Sequence, residues 1–229
     1  MNQPLVLVVE DDPDLRELMT VTLTNSGYRT LEASNGESAL EKFHTHAPHL
    51  VLLDISLGPH TIDGLEVCRR IRRDSDVPIV FLTTHGEDID QIIGFSTGAD
   101  DYLTKPVNHR LLLARLAAVL RRQEGPRRTT EATRIGHGGI DIDLNARTVT
   151  LNDQLVDLTR IQFDLLAAMA ENPTRVLTRE QLVERVWGEW YGNDHHLDVH
   201  LSRLRHRVTA AGGPRVAHAV RGVGFRFTS

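Results

Sequence analysis

A chain of 229 residues with a net charge of −5 has room for one large domain or two ordinary ones. No run of about 18 apolar residues exists to span a membrane, and no apolar leader precedes a small-residue cleavage site, so a cytoplasmic protein is expected. One cysteine, Cys68, excludes an internal disulfide framework and fits a reducing compartment. Within the apolar-periodic run Leu65–Ile71 it is expected to be a core thiol.

The first half alternates strand and helix. Leu5–Val9, Leu50–Asp54 and Ile79–Leu82 are short apolar runs of the kind buried on both faces of a parallel sheet. Tyr28–Ala33 and Asp101–Thr104 supply two further strands. Helical patterns fall between them at Pro13–Ser26, Gly36–His46 and Gly64–Arg73, and a strongly periodic last helix covers Asn108–Arg122. Five strands with helices between and after them predict a doubly wound α/β domain over residues 1–122, with its sites at the carboxyl ends of the strands.

Residues 123–133 (QEGPRRTTEAT) have almost no apolar content and read as a linker. A second domain, 134–229, then changes pattern. Ile140–Leu144 and Thr148–Leu151 alternate around an Asn-Ala-Arg turn and Gln154–Leu158 follows, predicting short antiparallel strands. Helices are expected at Thr159–Glu171 and Thr178–Trp187, each opened by a threonine cap, the second with Gln181 at the capping-box position. A third helix, His195–Ala210, carries Leu197, Leu201, Leu204 and Val208 on one face. The hairpin Ala217–Val220 and Gly224–Phe227 turns through Arg221-Gly222-Val223. Charge divides with the pattern: residues 1–122 carry −6, residues 123–229 carry +1, and residues 194–229 alone carry +4. An acidic first half joined to a chain that ends basic fits a module that does not bind nucleic acid linked to one that does.

Chemistry gathers at three strand ends. The first strand runs into Glu10-Asp11-Asp12, the third ends at Asp54, and the fifth is followed by Lys105-Pro106. In a parallel sheet these lie on one edge. Clustered carboxylates call for a hard cation, and Mg²⁺ suits oxygen ligands. A carboxylate beside Mg²⁺ and a lysine can attack a phosphoryl group, since the cations neutralise the transferring oxygens. Lys105 is one of only two lysines, with Lys42, in a chain that otherwise uses arginine. That choice marks a site requiring a compact ammonium.

VVEDD (8–12), LLD (52–54), LTT (82–84) and GADDYLTKP (98–106), in this order and spacing, resemble the receiver domain of two-component response regulators, over about residues 4–122. The resemblance implies a flavodoxin-like fold and a cognate sensor histidine kinase as partner. It makes Asp54 the phosphoacceptor, Glu10, Asp11, Asp54 and the Ser56 backbone carbonyl the Mg²⁺ ligands, and Lys105 the phosphate-contacting lysine. It further makes Thr83 and Tyr102 the switch pair and Lys105–Pro106 a cis peptide. One departure stands out: Asp63-Gly64 follow Asp54 by nine and ten residues, where the family has seven and eight, so the segment Ser56–Ile62 holds two extra residues. The family pairs on phosphorylation through a face that maps to Gln91, Ile93, Asp101, Leu111 and Arg115. Asp101 and Arg115 keep an expected ion pair, whereas Gln91, Ile93 and Leu111 replace charged residues, predicting a more apolar homodimer.

Three helices, the last basic, and a hairpin fit a winged helix-turn-helix. LTRIQFDLLAAMAENP (158–173), VLTREQLVERVWG (176–188), LDVHLSRLRHRV (197–208) and VRGVGFRF (220–227) together resemble the effector domain of the OmpR/PhoB subfamily. This implies binding of double-stranded promoter DNA, with contacts from Arg203, Arg205 and Arg221. Gly188–Asp194 becomes the loop that meets RNA polymerase. His195, His196 and Ser202 also belong to the groove-facing set, and His195 and Ser202 stand where the family often has arginine, so a non-standard operator is expected. His196 and His200, at i and i+4, are read as groove or core residues rather than a zinc pair. No enzymatic activity is expected. A Mg²⁺-dependent phosphatase using an aspartyl-phosphate lacks its second acid, since Ser56 stands there, and leaves the basic C-terminus unexplained. A degenerate, phosphorylation-independent receiver is disfavoured because the pocket residues are all present.

Overall fold

A computed structural model describes residues 3–84, 98–121, 134–188 and 195–227. The chain divides into two compact units, Met1–Gly125 and Pro126–Ser229.

The first unit runs β1 (Leu5–Val9), α1 (Pro13–Asn25), β2 (Arg29–Ala33), α2 (Gly36–His46), β3 (Leu50–Asp54), α3 (Gly64–Asp74), β4 (Ile79–Thr83), β5 (Asp101–Thr104) and α4 (His109–Arg121). All strand pairs are parallel and their order is β2-β1-β3-β4-β5. Every residue of β1, β3 and β4 is buried, which is why these strands are unbroken apolar runs rather than alternating ones. All four expected helices lie among the described residues, whereas residues 85–97 lie outside them. Asp12 starts α1 by accepting the amides of Asp14 and Leu15 at 2.9 and 3.1 Å, with Pro13 at the first helical position, where a missing N–H costs nothing. Cys68 is a core thiol, wholly buried, and burial pushes its pKa up to about 12.

The order reverses between β1 and β3. Chain leaving β1 turns to one side of the sheet and chain leaving β3 to the other, and this opens a crevice at the carboxyl ends of the two strands. Register then sets what lines it. Val9 pairs Leu53, Asp54 pairs Leu82, and Thr83 pairs Thr104. Glu10, Asp54, Thr83 and Lys105 therefore stand side by side along one edge.

The second unit opens with an antiparallel meander, β6 (Arg134–His137), β7 (Ile140–Asp143), β8 (Thr148–Leu151) and β9 (Gln154–Leu155). It continues with α5 (Arg160–Ala170), α6 (Arg179–Trp187), α7 (His195–Ala210) and the hairpin β10 (His218–Val220) and β11 (Gly224–Arg226). Two elements depart from expectation. Strand β6 appears where no strand was expected, and β9 stops at Leu155 rather than continuing to Leu158. Both α5 and α6 open with full capping boxes, Thr159 with Gln162 and Thr178 with Gln181. Leu197, Leu201, Leu204 and Val208 of α7 are buried in the core with Phe163, Leu166, Trp187 and Phe227. No helix among the described residues is long and apolar enough to cross a membrane.

Candidate acidic centre and nucleic-acid interface

At the crevice, the side chains of Glu10, Asp11 and Asp54 each present an oxygen within 4.8 Å of the others. Glu10 and Asp54 are 1% and 4% exposed, while Asp11 faces solvent. Lys105 reaches between the two buried carboxylates. Its ammonium donates to Asp54 Oδ2 at 2.7 Å and to Glu10 Oε1 at 2.9 Å, and lies 2.7 Å from Glu10 Oε2. Burial drives the Glu10 pKa up to about 7, and the neighbouring Asp54 charge adds to the rise although Lys105 opposes it. For Lys105, burial alone would favour the neutral amine, but hydrogen bonds to Asp54 and Glu10 outweigh it and hold the ammonium above its usual pKa. Three carboxylates and one ammonium leave negative charge uncompensated once all are ionised. One oxygen from each of the three carboxylates lies close enough to the others for the set to share a single cation. The donors are all hard oxygens, one of them open to water, and they fit Mg²⁺.

Around this group the expected neighbours fall into place. Thr83 is buried at the end of β4, and its carbonyl accepts the Lys105 amide at 2.7 Å. Tyr102 lies in β5, 4% exposed, stacked on Phe81 with ring centroids 5.7 Å apart. Lys105–Pro106 is cis. Ser56 is exposed, and its amide approaches Asp54 Oδ1 at 3.4 Å. Asp12 takes no part, since its carboxylate caps α1. Gly64 shows how tightly the longer loop is closed. A Cβ there would sit 2.0 Å from the Asp54 carbonyl oxygen, and its amide donates to Ile55 O at 2.9 Å. Ile55 and Gly64 are thus held together beside Asp54, with Gly58, Pro59 and His60 exposed in the loop between them.

In the second unit, α7 turns Ser202 and His206 to solvent, with Arg203 half-buried beside them. Arg221 is exposed at the hairpin tip, closed by Val223 N–H to Val220 O at 2.9 Å. The hairpin is not a free flap. Leu177 and Phe225 exchange two main-chain hydrogen bonds of 2.8 Å, joining β11 to the residue before the Thr178 cap. The Phe225 ring lies against two guanidinium groups, Arg179 at 5.4 Å and Arg205 at 5.7 Å. Arg179 also bonds Asp198 of α7 at 2.7 and 2.8 Å. Arg205 donates through Nε and Nη2 to the Ala217 carbonyl at 2.9 and 2.5 Å. Arg205, expected to contact bases, has its Nε and Nη2 turned toward the hairpin and ties α7 to the wing. His200 is 3% exposed, packed beside Trp187 at 5.6 Å, a core histidine as expected. Helix α7 includes His195 and His196, but their side chains lie outside the described set.

Comparison with known proteins agrees with this architecture. The response regulator receiver domain family matches residues 6–117, and the family "transcriptional regulatory protein, C terminal" matches residues 153–227. The transcriptional regulatory protein AfsQ1 of Streptomyces coelicolor is 41% identical over 225 residues, 97% of each chain. The DNA-binding response regulator MtrA of Mycolicibacterium smegmatis is 41% identical over 223 residues, 96% of this chain and 95% of its own. Among solved structures, a RitR mutant superposes with a TM-score of 0.75 at 27% identity, covering 99% of both chains. DrrB of Thermotoga maritima, an OmpR/PhoB homologue, gives 0.52 at 30% identity over the full length of both. The chain belongs to the OmpR/PhoB response regulators.

Of the residues expected at the dimer face of this response regulator, Asp101, Leu111 and Arg115 are described. Asp101 is 1% exposed and pairs with Arg115 of its own chain, Nη1 to Oδ2, at 3.2 Å. Leu111 is half-buried and packs on the receiver's own core, so only part of its side chain remains for a partner. Gln91 and Ile93 lie outside the described residues, as do residues 189–194 of the loop assigned to RNA polymerase and the whole 123–133 linker. Sequence reasoning missed Arg179, Asp198 and Phe225 as the fastening between α7 and the wing. Phe225 sits in the GFRF motif, but nothing in a one-dimensional pattern links it to Arg179, 46 residues away.

Proposed function

We propose that this response regulator is a phosphorylation-controlled, DNA-binding transcription regulator of the cytoplasm, and that Asp54 is its phosphoacceptor. The observation that carries the reading is the Lys105 ammonium bridging Asp54 and Glu10 at the crevice, with Asp11 beside them. Glu10, Asp11, Asp54 and the Ser56 carbonyl would hold Mg²⁺, whose chemistry is to neutralise charge on the phosphoryl oxygens. An Asp54 carboxylate oxygen attacks the phosphorus of a phosphohistidine on a sensor kinase. The P–N bond breaks, the O–P bond forms, and the imidazole nitrogen leaves with its electron pair and takes a proton from solvent. Lys105, already between the carboxylates, offsets the charge that Asp54 acquires. Thr83, beside Asp54 on the next strand, is placed to bond the phosphoryl oxygens, and Tyr102 shifts with it.

The chain accepts a phosphoryl group and is not an enzyme acting on a separate substrate. Phosphorylation shifts it toward a homodimer that sets two effector domains on adjacent half-sites of promoter DNA. Helix α7 reads the major groove through Arg203, Ser202 and the His195–His196 end, and Arg221 enters the minor groove. The same reading gives the 188–194 segment a contact with RNA polymerase. The test is Asp54→Asn, incubated with Mg²⁺ and a small phosphodonor. It should acquire no acyl phosphate by mass spectrometry, and labelling equal to the parent would move the role to another carboxylate.

A further inference from the structure

The two extra residues after β3 lie in a segment with its own fastening on the receiver. Leu57 anchors its near end, 3% exposed in the core. Gly58 follows with φ +80°, and a Cβ built there would stand 3.2 Å from Asp11 Oδ2, so the main chain passes against one of the acidic side chains. The far end is tied to the start of α2. The Thr61 hydroxyl donates to Glu37 Oε2 at 2.5 Å and accepts the Gly36 amide at 3.1 Å, while the Ile62 amide donates to Glu37 Oε1 at 3.2 Å. Ile62 fills the space a Cβ on Gly36 would need, with its Cγ1 2.3 Å away. Glu37 holds both oxygens on this one segment, and the Thr61 bond leads in pulling its pKa below the usual glutamate value. Asp63 then caps α3 through the Glu66 amide at 2.7 Å.

A surface loop of this length is ordinarily free to sample many shapes, and each residue fixed costs on the order of 1–2 kcal/mol of backbone entropy. Here three hydrogen bonds and a buried leucine fix it at both ends, with the acidic centre between them. The geometry points to Glu37 and Thr61 as positioning residues for that centre. By holding the far end of the Ser56–Ile62 segment on α2, they keep Gly58 against Asp11 and the Ser56 main chain beside Asp54, and so they set how tightly the divalent cation is retained. Neither side chain touches the ion. This rests on the reading of the crevice as a Mg²⁺ site and deepens it.

The experiment uses the full chain and Mg²⁺ alone, titrated calorimetrically, with thermal unfolding measured in parallel. Thr61→Val keeps the shape and deletes the hydroxyl; Glu37→Ala deletes the acceptor; Thr61→Ser restores the hydroxyl. Thr61→Val and Glu37→Ala should each raise the Mg²⁺ dissociation constant about tenfold, the scale of a lost outer-sphere partner, and Thr61→Ser should stay within about twofold of the parent. Because Glu37 and its bonds are at the surface, melting temperatures should move by no more than about 5 °C. Parent-like Mg²⁺ binding in both disruptive variants would overturn the positioning role and leave the metal site standing. Equal weakening in Thr61→Ser would overturn it too, since the hydroxyl would then be irrelevant. A parent chain that binds no Mg²⁺ would instead sink the reading of the crevice, and this inference with it.

Discussion

Lys105→Met removes the ammonium but keeps the apolar stem. In the folded chain that ammonium lies 2.7 Å from Asp54 Oδ2 and 2.7 Å from Glu10 Oε2, and those carboxylates are 4% and 1% exposed. Stranding a buried charge by deleting its partner costs about 3–5 kcal/mol when the charge cannot neutralise. At Glu10 it can. Glu10 already takes its proton at about 7, and Lys105 is what holds that value down, so in the variant it rises further. Below pH 7 Glu10 is protonated in both proteins, and the loss is that of the Lys105–Asp54 pair, which leaves the buried Asp54 carboxylate unpartnered at a cost of about 3–5 kcal/mol. Above pH 7 the parent ionises Glu10 in the folded and unfolded states alike. The variant keeps its proton when folded and releases it on unfolding, so its deficit should grow by about 1.4 kcal/mol per pH unit. Both tryptophans, Trp187 and Trp190, belong to the second unit, so their fluorescence would not report on this one. Hydrogen exchange of peptides covering Leu5–Val9 and Leu50–Asp54 at increasing urea would. A deficit that stays constant from pH 6 to pH 8.5, or no deficit at pH 8.5, would refute the claim that Lys105 compensates buried carboxylates.

Other outcomes follow from the same geometry. In the parent, Glu10 is raised from 4.5 to about 7, so its contribution to stability is full below pH 4.5 and lost as pH rises through 7. Mg²⁺ needs the ionised form, so its affinity should fall steeply below pH 7 with a proton released on binding; calorimetry in buffers of different ionisation enthalpy would show it, and flat affinity from pH 5.5 to 8 would count against it. Gly64→Ala drives a methyl group to 2.0 Å from the Asp54 carbonyl and should cost about 1–3 kcal/mol or more while weakening Mg²⁺ binding; a parent-like denaturation midpoint would show that the loop closes less tightly than described. Arg203→Ala should lose about 1–3 kcal/mol of base discrimination, and Arg221→Ala should weaken binding mainly at A·T-rich minor grooves. Arg205→Ala should weaken all sequences alike by loosening the wing, so a changed footprint preference in that variant would return Arg205 to the groove.

The sheet was legible because burial on both faces writes itself into β1, β3 and β4 as continuous apolar runs, and the strand ends then bring Glu10, Asp54 and Lys105 together without further information. Strand β6 was not legible. Arg134-Ile135-Gly136-His137 has one apolar side chain and lies at a sheet edge, joined to β7 by its backbone and by an Arg134–Asp143 ion pair at 3.1 Å, and such a composition carries little strand signal. Strand β9 was overextended because, after one last main-chain bond from Val156 to Val149 O at 2.8 Å, the chain turns irregular, with Val156 and Leu158 still packing inward. The tie from Arg205 to the wing was missed for a related reason. Helical spacing locates a side chain on a face, but whether its donors reach a carbonyl at Ala217 depends on how the hairpin folds back. Leu111 was assigned to the dimer face on a residue-by-residue likeness, and its partial burial against the receiver core is a packing detail that likeness does not carry.

With only two lysines in the chain, the crevice carries its own chemical label. Acylating reagents attack the free amine, not the ammonium. Lys42 reaches only the Glu32 carbonyl at the surface, whereas Lys105 is clasped by two carboxylates and held protonated. Brief exposure to such a reagent should therefore mark Lys42 and spare Lys105. The fraction acylated at Lys105 would then measure, on one tryptic peptide and without radioactivity, how often the two carboxylates release their cation.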